Sequence, residues 1–366
     1  MLQRVSGTKT TGRPRAALEG DRSGRARLAV AVLSVALVAT IGFALFFGAF
    51  DAPTVRIVLT WLGLDDGAGL RSSDILVVET IRLPRVIMGA MIGGALAMSG
   101  TVMQGLFRNP LADPGIVGVS AGASLGAVAM IVLGGTLLAP VTQLAGLYAL
   151  PFAAFLGGLA STWLLYRIAT RERRTSVATM LLAGIALGAF ALAMTGTLIF
   201  IADDLQLRQV TFWSLGSLAG ATWEKVISVL PIMAPALAAS LMLARGLNAL
   251  AFGEAAAGHM GISVQRMKTI AILVVAAATG ASVAVSGGIG FVGIVVPHLL
   301  RLTIGPDHRY LIPCSGLLGA IFLILADCIS RTVVAPAELP IGIVTAAAGA
   351  PFFLWILLRR RGILDL

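Results

Sequence analysis

Long apolar runs separated by short polar stretches dominate the chain, and their length decides the fold class. A membrane-spanning helix needs about 20 predominantly apolar residues. Runs of that kind are read at residues 28–50, 84–107, 115–134, 146–167, 177–201, 224–244, 268–286, 293–304, 311–330 and 339–358. Strands of an outer-membrane barrel would instead alternate apolar and polar residues over about ten positions. The expected fold is therefore an all-α polytopic membrane protein with about ten transmembrane helices.

Two runs are irregular. The eighth is about two-thirds of a span. It follows Ser286, Gly287, Gly288, Ile289 and Gly290, which predicts a broken helix that re-enters. Irregular backbone at membrane depth is tolerated only against protein or a water-filled cavity. The third run is headed by Pro114 and Gly115 and carries Gly118, Gly122 and Gly126 four apart. That spacing points to close helix packing, either at an interface or inside the bundle.

Composition agrees. Of 366 residues, 58% are hydrophobic and 12% charged, with a mean hydropathy of +0.95. Soluble domains carry about 25% charged residues, so a soluble globular domain is excluded, and so is a disordered chain. Ten spans use roughly 200 residues, and the remainder is too short for a separate soluble domain. The organisation expected is a basic cytoplasmic tail at 1–27, one transmembrane domain at 28–360 and a short cytoplasmic C-terminus at 361–366. The run at 28–50 is of span length without a small-x-small cleavage site, so it is expected to be retained rather than removed as a leader. Cys314 and Cys328 share one apolar stretch and read as small core residues.

The net charge of +10 changes the picture only through its placement. With the N-terminus inside, most Lys and Arg fall on the cytoplasmic side. The other side holds only Arg56, Arg71, Arg82, Arg85, Arg208, Lys225 and Arg331. This asymmetry sets orientation and supports an even number of crossings with both termini cytoplasmic. The excess charge marks membrane orientation, not nucleic-acid binding.

Chemistry is sparse. None of Lys9, Lys225 and Lys268 follows a glycine, so there is no phosphate-binding loop. His259, His298 and His308 are scattered and read as structural or surface residues, and no metal site is expected. Charge within the runs is sparse and lies near their ends; the carboxylate that stands out is Asp327, near the outer end of the ninth run, and Arg331 lies one helical turn later, within pairing reach. An ion-coupled transporter would need ionisable residues at mid-membrane, and a membrane enzyme a convergent catalytic set. With neither an ion relay nor a nucleotide site, the chain must draw energy from a partner or be a passive pore.

Two stretches suit partners. The cytoplasmic segment 245–268 is too polar to cross and too apolar for a linker. It reads as short helices broken by glycines, which either dock into a groove on another protein or lie in the lipid interface. On the outer side, Ile81–Arg85 (IRLPR) together with Arg331 sets three arginines where positive charge is otherwise depleted. They either receive an acidic partner or anchor to headgroups.

Several motifs in order complete the pattern: IRLPR at 81–85, QGLFRNPLADPG at 104–115, GVSAG at 118–122, GIGFVG at 288–293, VPHLLR at 296–301, Asp327 with Arg331, and ELPIG at 338–342. With them the chain resembles, from about residue 28 to 360, the FecCD-type permease subunits of type II ABC importers, which bring vitamin B12, ferric siderophores and haem into bacteria.

The resemblance implies a homodimer in the bacterial inner membrane with the path at its two-fold interface. It implies two cytoplasmic ATPase subunits, which hold the ATP and magnesium, so this chain binds no cofactor and catalyses nothing. A periplasmic binding protein would dock on Arg82, Arg85 and Arg331. The inner gate would fall at Asn109, Leu111, Thr175 and Ser176. The ATPase-coupling positions would be Glu254, Ala255, Ala256, Gly258 and Gly261, although Gly261 comes one residue later than in other importers. An apolar path without iron ligands suits a large chelate that is never gripped tightly. The stretches 107–123 and 211–223 look most like those of haem permeases.

Overall fold

The computed structural model describes residues 22–46, 53–171 and 174–359. Most of the expected N-terminal tail and the C-terminus at 361–366 lie outside the described residues. The helices are α1 (Ser23–Phe46), α2 (Thr54–Trp61), α3 (Ser72–Leu76), α4 (Leu83–Phe107), α5 (Val119–Leu133), α6 (Ala139–Ala145), α7 (Ala149–Ala169) and α8 (Val177–Phe200). They continue with α9 (Asp204–Ser214), α10 (Trp223–Met242), α11 (Ala244–Leu250), α12 (Glu254–His259), α13 (Val264–Ser286), α14 (Val292–Ile304), α15 (His308–Thr332) and α16 (Ile341–Arg359). A two-stranded ribbon, β1 (Thr170–Arg171) with β2 (Arg174–Thr175), joins α7 to α8.

Each of the ten expected apolar runs becomes a helix. Among the described residues, seven helical stretches are long and apolar enough to cross a membrane, and α5, α14 and α16 are shorter apolar helices. The break before α14 is where the glycines predict it. Gly287 has φ +72°, and Phe291, at the N-cap of α14, is left-handed with φ +68°.

The third run starts later than expected. Asp113 accepts a hydrogen bond from the Gly115 amide at 2.7 Å and caps a 3-10 turn over Pro114–Val117 before α5 begins. The sequence reading also placed IRLPR at the mouth of the second span, and the structure corrects this. Helix already runs from Ser72, through a π-helical turn at Val77–Arg82, straight into α4. A π turn changes the hydrogen-bond register, which suits the missing amide hydrogen of Pro84.

The packing is centred on α4, most of whose residues are buried. It meets α15 through backbone contacts: a Cβ on Gly93 would overlap the Gly319 carbonyl, and one on Gly319 would overlap Gly93. Gly100 meets Gly293 of α14 the same way. A second pair, α5 and α7, is held by Gly122 against Gly157. The glycine spacing of the third run therefore serves packing inside the chain at Gly122 and Gly126, while Gly118 takes φ +73° as a turn residue. In the absence of a hydrophobic drive between helices in lipid, such close approach supplies dispersion contact. Helix α13 packs on α4, α5, α7 and α10 and so links the two groups.

Candidate functional site

The outer arginines turn inward. Arg82, Arg85 and Arg331 are only 3%, 5% and 5% exposed. Arg85 donates through Nε and Nη2 to the Asp327 carboxylate at 2.8–3.1 Å and through Nη1 to Glu338 at 2.9 Å. Arg331 forms an ion pair with Asp327, Nε to Oδ2 at 3.1 Å, and donates from Nε to the Asp327 carbonyl at 3.4 Å and from Nη2 to the Ala44 carbonyl at 3.3 Å. Arg82 donates to the Leu45 carbonyl at 2.7 Å, where the last turn of α1 leaves acceptors unpaired.

The expected Asp327–Arg331 pair is present, but it is half of a larger cluster joining α1, α4, α15 and the segment before α16. Three arginines offered to solvent, whether to an acidic partner or to headgroups, are thus replaced by three engaged inside the chain. Burying a charge is costly unless it is paired and hydrogen-bonded, and these pairings meet that requirement.

At the opposite end, α11 and α12 form the expected short helices of segment 245–268. Helix α11 is tied to the start of α15: Asn248 Nδ2 donates to Asp307 Oδ1 at 2.6 Å, and Asn248 Oδ1 accepts from the His308 amide at 2.9 Å. His308 and His298 are buried, and His259 is exposed. Helix α12 lies between Gly253 (φ +104°) and Gly261 (φ +80°), conformations that side-chain-bearing residues rarely adopt. It anchors through Ala257, which is fully buried, and leaves Glu254, Ala255 and Gly258 exposed beside Phe252 and Met260. Ala256 is half-buried.

The four expected gate residues fall in two places. Asn109 and Leu111 follow α4, where Arg108 is left-handed (φ +51°) and the Asn109 side chain accepts from the Leu111 amide at 2.9 Å. Leu111 lines a small cleft with Ile294, Phe352 and Phe353. Thr175 and Ser176 sit at the ribbon's end, where Ser176 caps α8 by accepting from the Thr179 amide. Among the described residues no hydrogen bond joins the two pairs.

Thr175 has its own neighbours. Its amide donates to Gln265 Oε1 at 2.7 Å, its carbonyl accepts from Lys268 Nζ at 2.9 Å, and its hydroxyl meets that of Thr170 at 3.0 Å. The same Nζ donates to Glu254 Oε1 at 2.7 Å. Sequence reasoning singled out Glu254 and Thr175 separately but not Lys268, which connects them.

Between α5, α8 and the broken segment lies a cavity of about 300 Å³ lined by Ser120, Ser124, Leu192, Thr195, Trp213 and Gly288. Helix α8 is otherwise strongly exposed and apolar, with Leu182 at 70%, Leu192 at 73% and Phe200 at 90%. Among the described residues no group of three or more His, Cys, Asp or Glu could hold a metal ion.

Comparison with known proteins follows the same lines. The model of the FecCD transport family matches residues 29–359. The hemin transport system permease protein HmuU of Yersinia pestis is 47% identical over 281 residues, 77% of this chain and 83% of that protein. The cobalamin import system permease protein BtuC of Halobacterium salinarum is 42% identical over 292 residues, 80% of this chain and 76% of that protein. A metal-chelate type ABC transporter solved in an inward-facing conformation matches with a TM-score of 0.78 at 29% identity, covering 90% of this chain and 98% of that one.

Proposed function

The chain belongs to the FecCD transport family, and from that premise we propose that it is the permease through which an ATP-driven importer carries haem across the bacterial inner membrane. It is a multi-pass permease subunit of an ABC importer, so its work is transport rather than catalysis. Two identical copies enclose the path between them. Two ATPase subunits, holding ATP and magnesium, dock on the cytoplasmic end, and a periplasmic binding protein delivers cargo at the outer end.

The observation that carries the coupling part is α12. It is an exposed helix on two glycine hinges, set apart from the spans yet linked through Lys268 of α13, which donates both to Glu254 and to the Thr175 carbonyl. A docked partner has there a surface to push and a direct connection into the membrane domain. Asn109, Leu111, Thr175 and Ser176 act as the inner gate, and Glu254, Ala255, Ala256, Gly258 and Gly261 form the docking surface and its hinge. Arg82, Arg85 and Arg331, buried in the chain, support from beneath the outer face on which the binding protein docks.

Haem as cargo is supported by the hemin permease relative at 47% identity and by the stretches 107–123 and 211–223. The exposed apolar face of α8 suits a flat, largely apolar chelate. The test is reconstitution of the complex in proteoliposomes with ATP inside, comparing uptake of haem, a ferric siderophore and cobalamin. ATP-dependent uptake of haem well above the other two is expected. Preferential uptake of cobalamin or a siderophore would reassign the cargo, and uptake by the lone chain without an ATPase would overturn the ABC reading.

A further inference from the structure

We infer that Lys268 is the positioning residue that ties the stance of α12 to the gate at Thr175. The inference rests on the ABC permease reading above and adds to it the connection by which a cytoplasmic partner's movement reaches the path.

Lys268 is 2% exposed, an unusual place for an ammonium. Its ammonium donates two hydrogen bonds, to different parts of the molecule. The Glu254 carboxylate at 2.7 Å belongs to α12, and the Thr175 carbonyl at 2.9 Å belongs to the ribbon that leads into α8. Glu254 is about half exposed, with a side-chain accessibility of 47%. A partner seated on α12 therefore touches one end of the connection while the other end lies at the gate.

The local backbone suits this use. Helix α12 is a short unit between two left-handed glycines, and at neither would a Cβ meet another atom within 4 Å. Those glycines are there for conformation, not packing, which is what a hinge requires. On the other side, Thr175 is pinned by α13 at both its amide and its carbonyl, through Gln265 and Lys268. A buried charge must keep its counter-charge. When α12 swings, the ammonium follows the Glu254 carboxylate, and the Thr175 carbonyl follows the ammonium or loses its donor. Either result changes how Ser176 starts α8.

A purely structural ion pair would need only opposite charges. The geometry here needs more: a cation at position 268, because the Thr175 carbonyl can only accept. That difference separates the two roles. In the charge-exchanged variant, Glu254→Lys with Lys268→Glu, the pair is restored but a carboxylate faces the Thr175 carbonyl.

The experiment uses the complete importer in proteoliposomes, with substrate moved per ATP hydrolysed as the main readout. A second readout is thiol labelling of Ala178→Cys in the exposed first turn of α8; Cys314 and Cys328 are buried. Lys268→Gln is expected to keep ATP hydrolysis while uptake per ATP falls by about tenfold or more, within the range of site-to-site couplings. Its Ala178→Cys labelling should no longer respond to ATP.

Lys268→Arg should restore both readouts. The exchanged pair should recover thermal stability but not coupling. Should Lys268→Gln not accumulate, Glu254→Gln, at the exposed end of the connection and with the ATPase subunits shown to remain bound by co-purification, should show the same loss of uptake per ATP. Unchanged uptake per ATP in folded Lys268→Gln or Glu254→Gln, or full coupling in the exchanged pair, overturns the inference and leaves the permease reading standing. Absence of ATP-driven uptake by the parent complex overturns the permease reading itself.

Discussion

Replacing Asp327 by Asn tests the charge cluster at the outer end most directly. Asp327 is 2% exposed and receives two guanidiniums, each about 5% exposed. At an effective dielectric of about 20, unit charges 4 Å apart attract by about 4 kcal/mol. Desolvation offsets much of that gain, yet removing one partner of a buried pair still costs about 3–5 kcal/mol, because the remaining charge stays buried.

Asp327→Asn leaves Arg85 with only the Glu338 carboxylate, whose side chain is 39% exposed. A loss of about 3–5 kcal/mol is therefore expected. Glu338→Gln should cost under about 1 kcal/mol, since a half-solvated partner is screened by water. Arg85→Met should fall between, because Asp327 then keeps Arg331. The Arg85→Met, Asp327→Asn cycle should show a coupling of about 0.5–3 kcal/mol.

The assay is reversible unfolding in mixed micelles followed by tryptophan fluorescence, at low and high salt. The difference should persist in high salt, because buried pairs are screened little. Asp327→Asn within about 1 kcal/mol of the parent, or as mild as Glu338→Gln, would refute the reasoning.

Other expectations follow from the same contacts. Reversing Arg82 and Arg85 to Glu together should abolish folded protein at every salt concentration, seen as loss of the monodisperse peak in detergent, since both side chains are buried. Gly100→Ala should cost about 3 kcal/mol or more by overlap with Gly293, whereas Gly42→Ala, with nothing near its Cβ, should leave the melting temperature unchanged. Ala257→Pro should uncouple ATP hydrolysis from uptake, because it removes the bond from the Ala257 amide to the Gly253 carbonyl.

Local features were legible in the sequence and distant pairings were not. The ten apolar helices follow from run length, and the break before α14 from its glycines. Asp327 with Arg331 was visible because the partners are one helical turn apart. Arg85 finds Asp327 across 242 positions, and nothing in the spacing of either points to the other. Read by charge placement alone, Arg85 therefore seemed free to face outward. The helix at Ser72–Arg82 was missed because its polar residues hide a continuation of α4, and α9 because it lies outside the apolar runs. Lys268 read as the polar edge of a span; only the fold brings Glu254 and Thr175 to it. In the candidate site, motif positions marked which segments matter, while the bonds among them came from tertiary structure.

The glycine contacts of α4 with α15 and of α5 with α7 limit how this molecule can change shape. Where backbone rests on backbone there is no side chain to change rotamer and no layer to shear, so each pair behaves as one welded beam. Rearrangement is left to the joint between the beams, and α13 is the member that touches both. A transport stroke is then a change of angle across that joint, with Lys268 at the foot of the shared member.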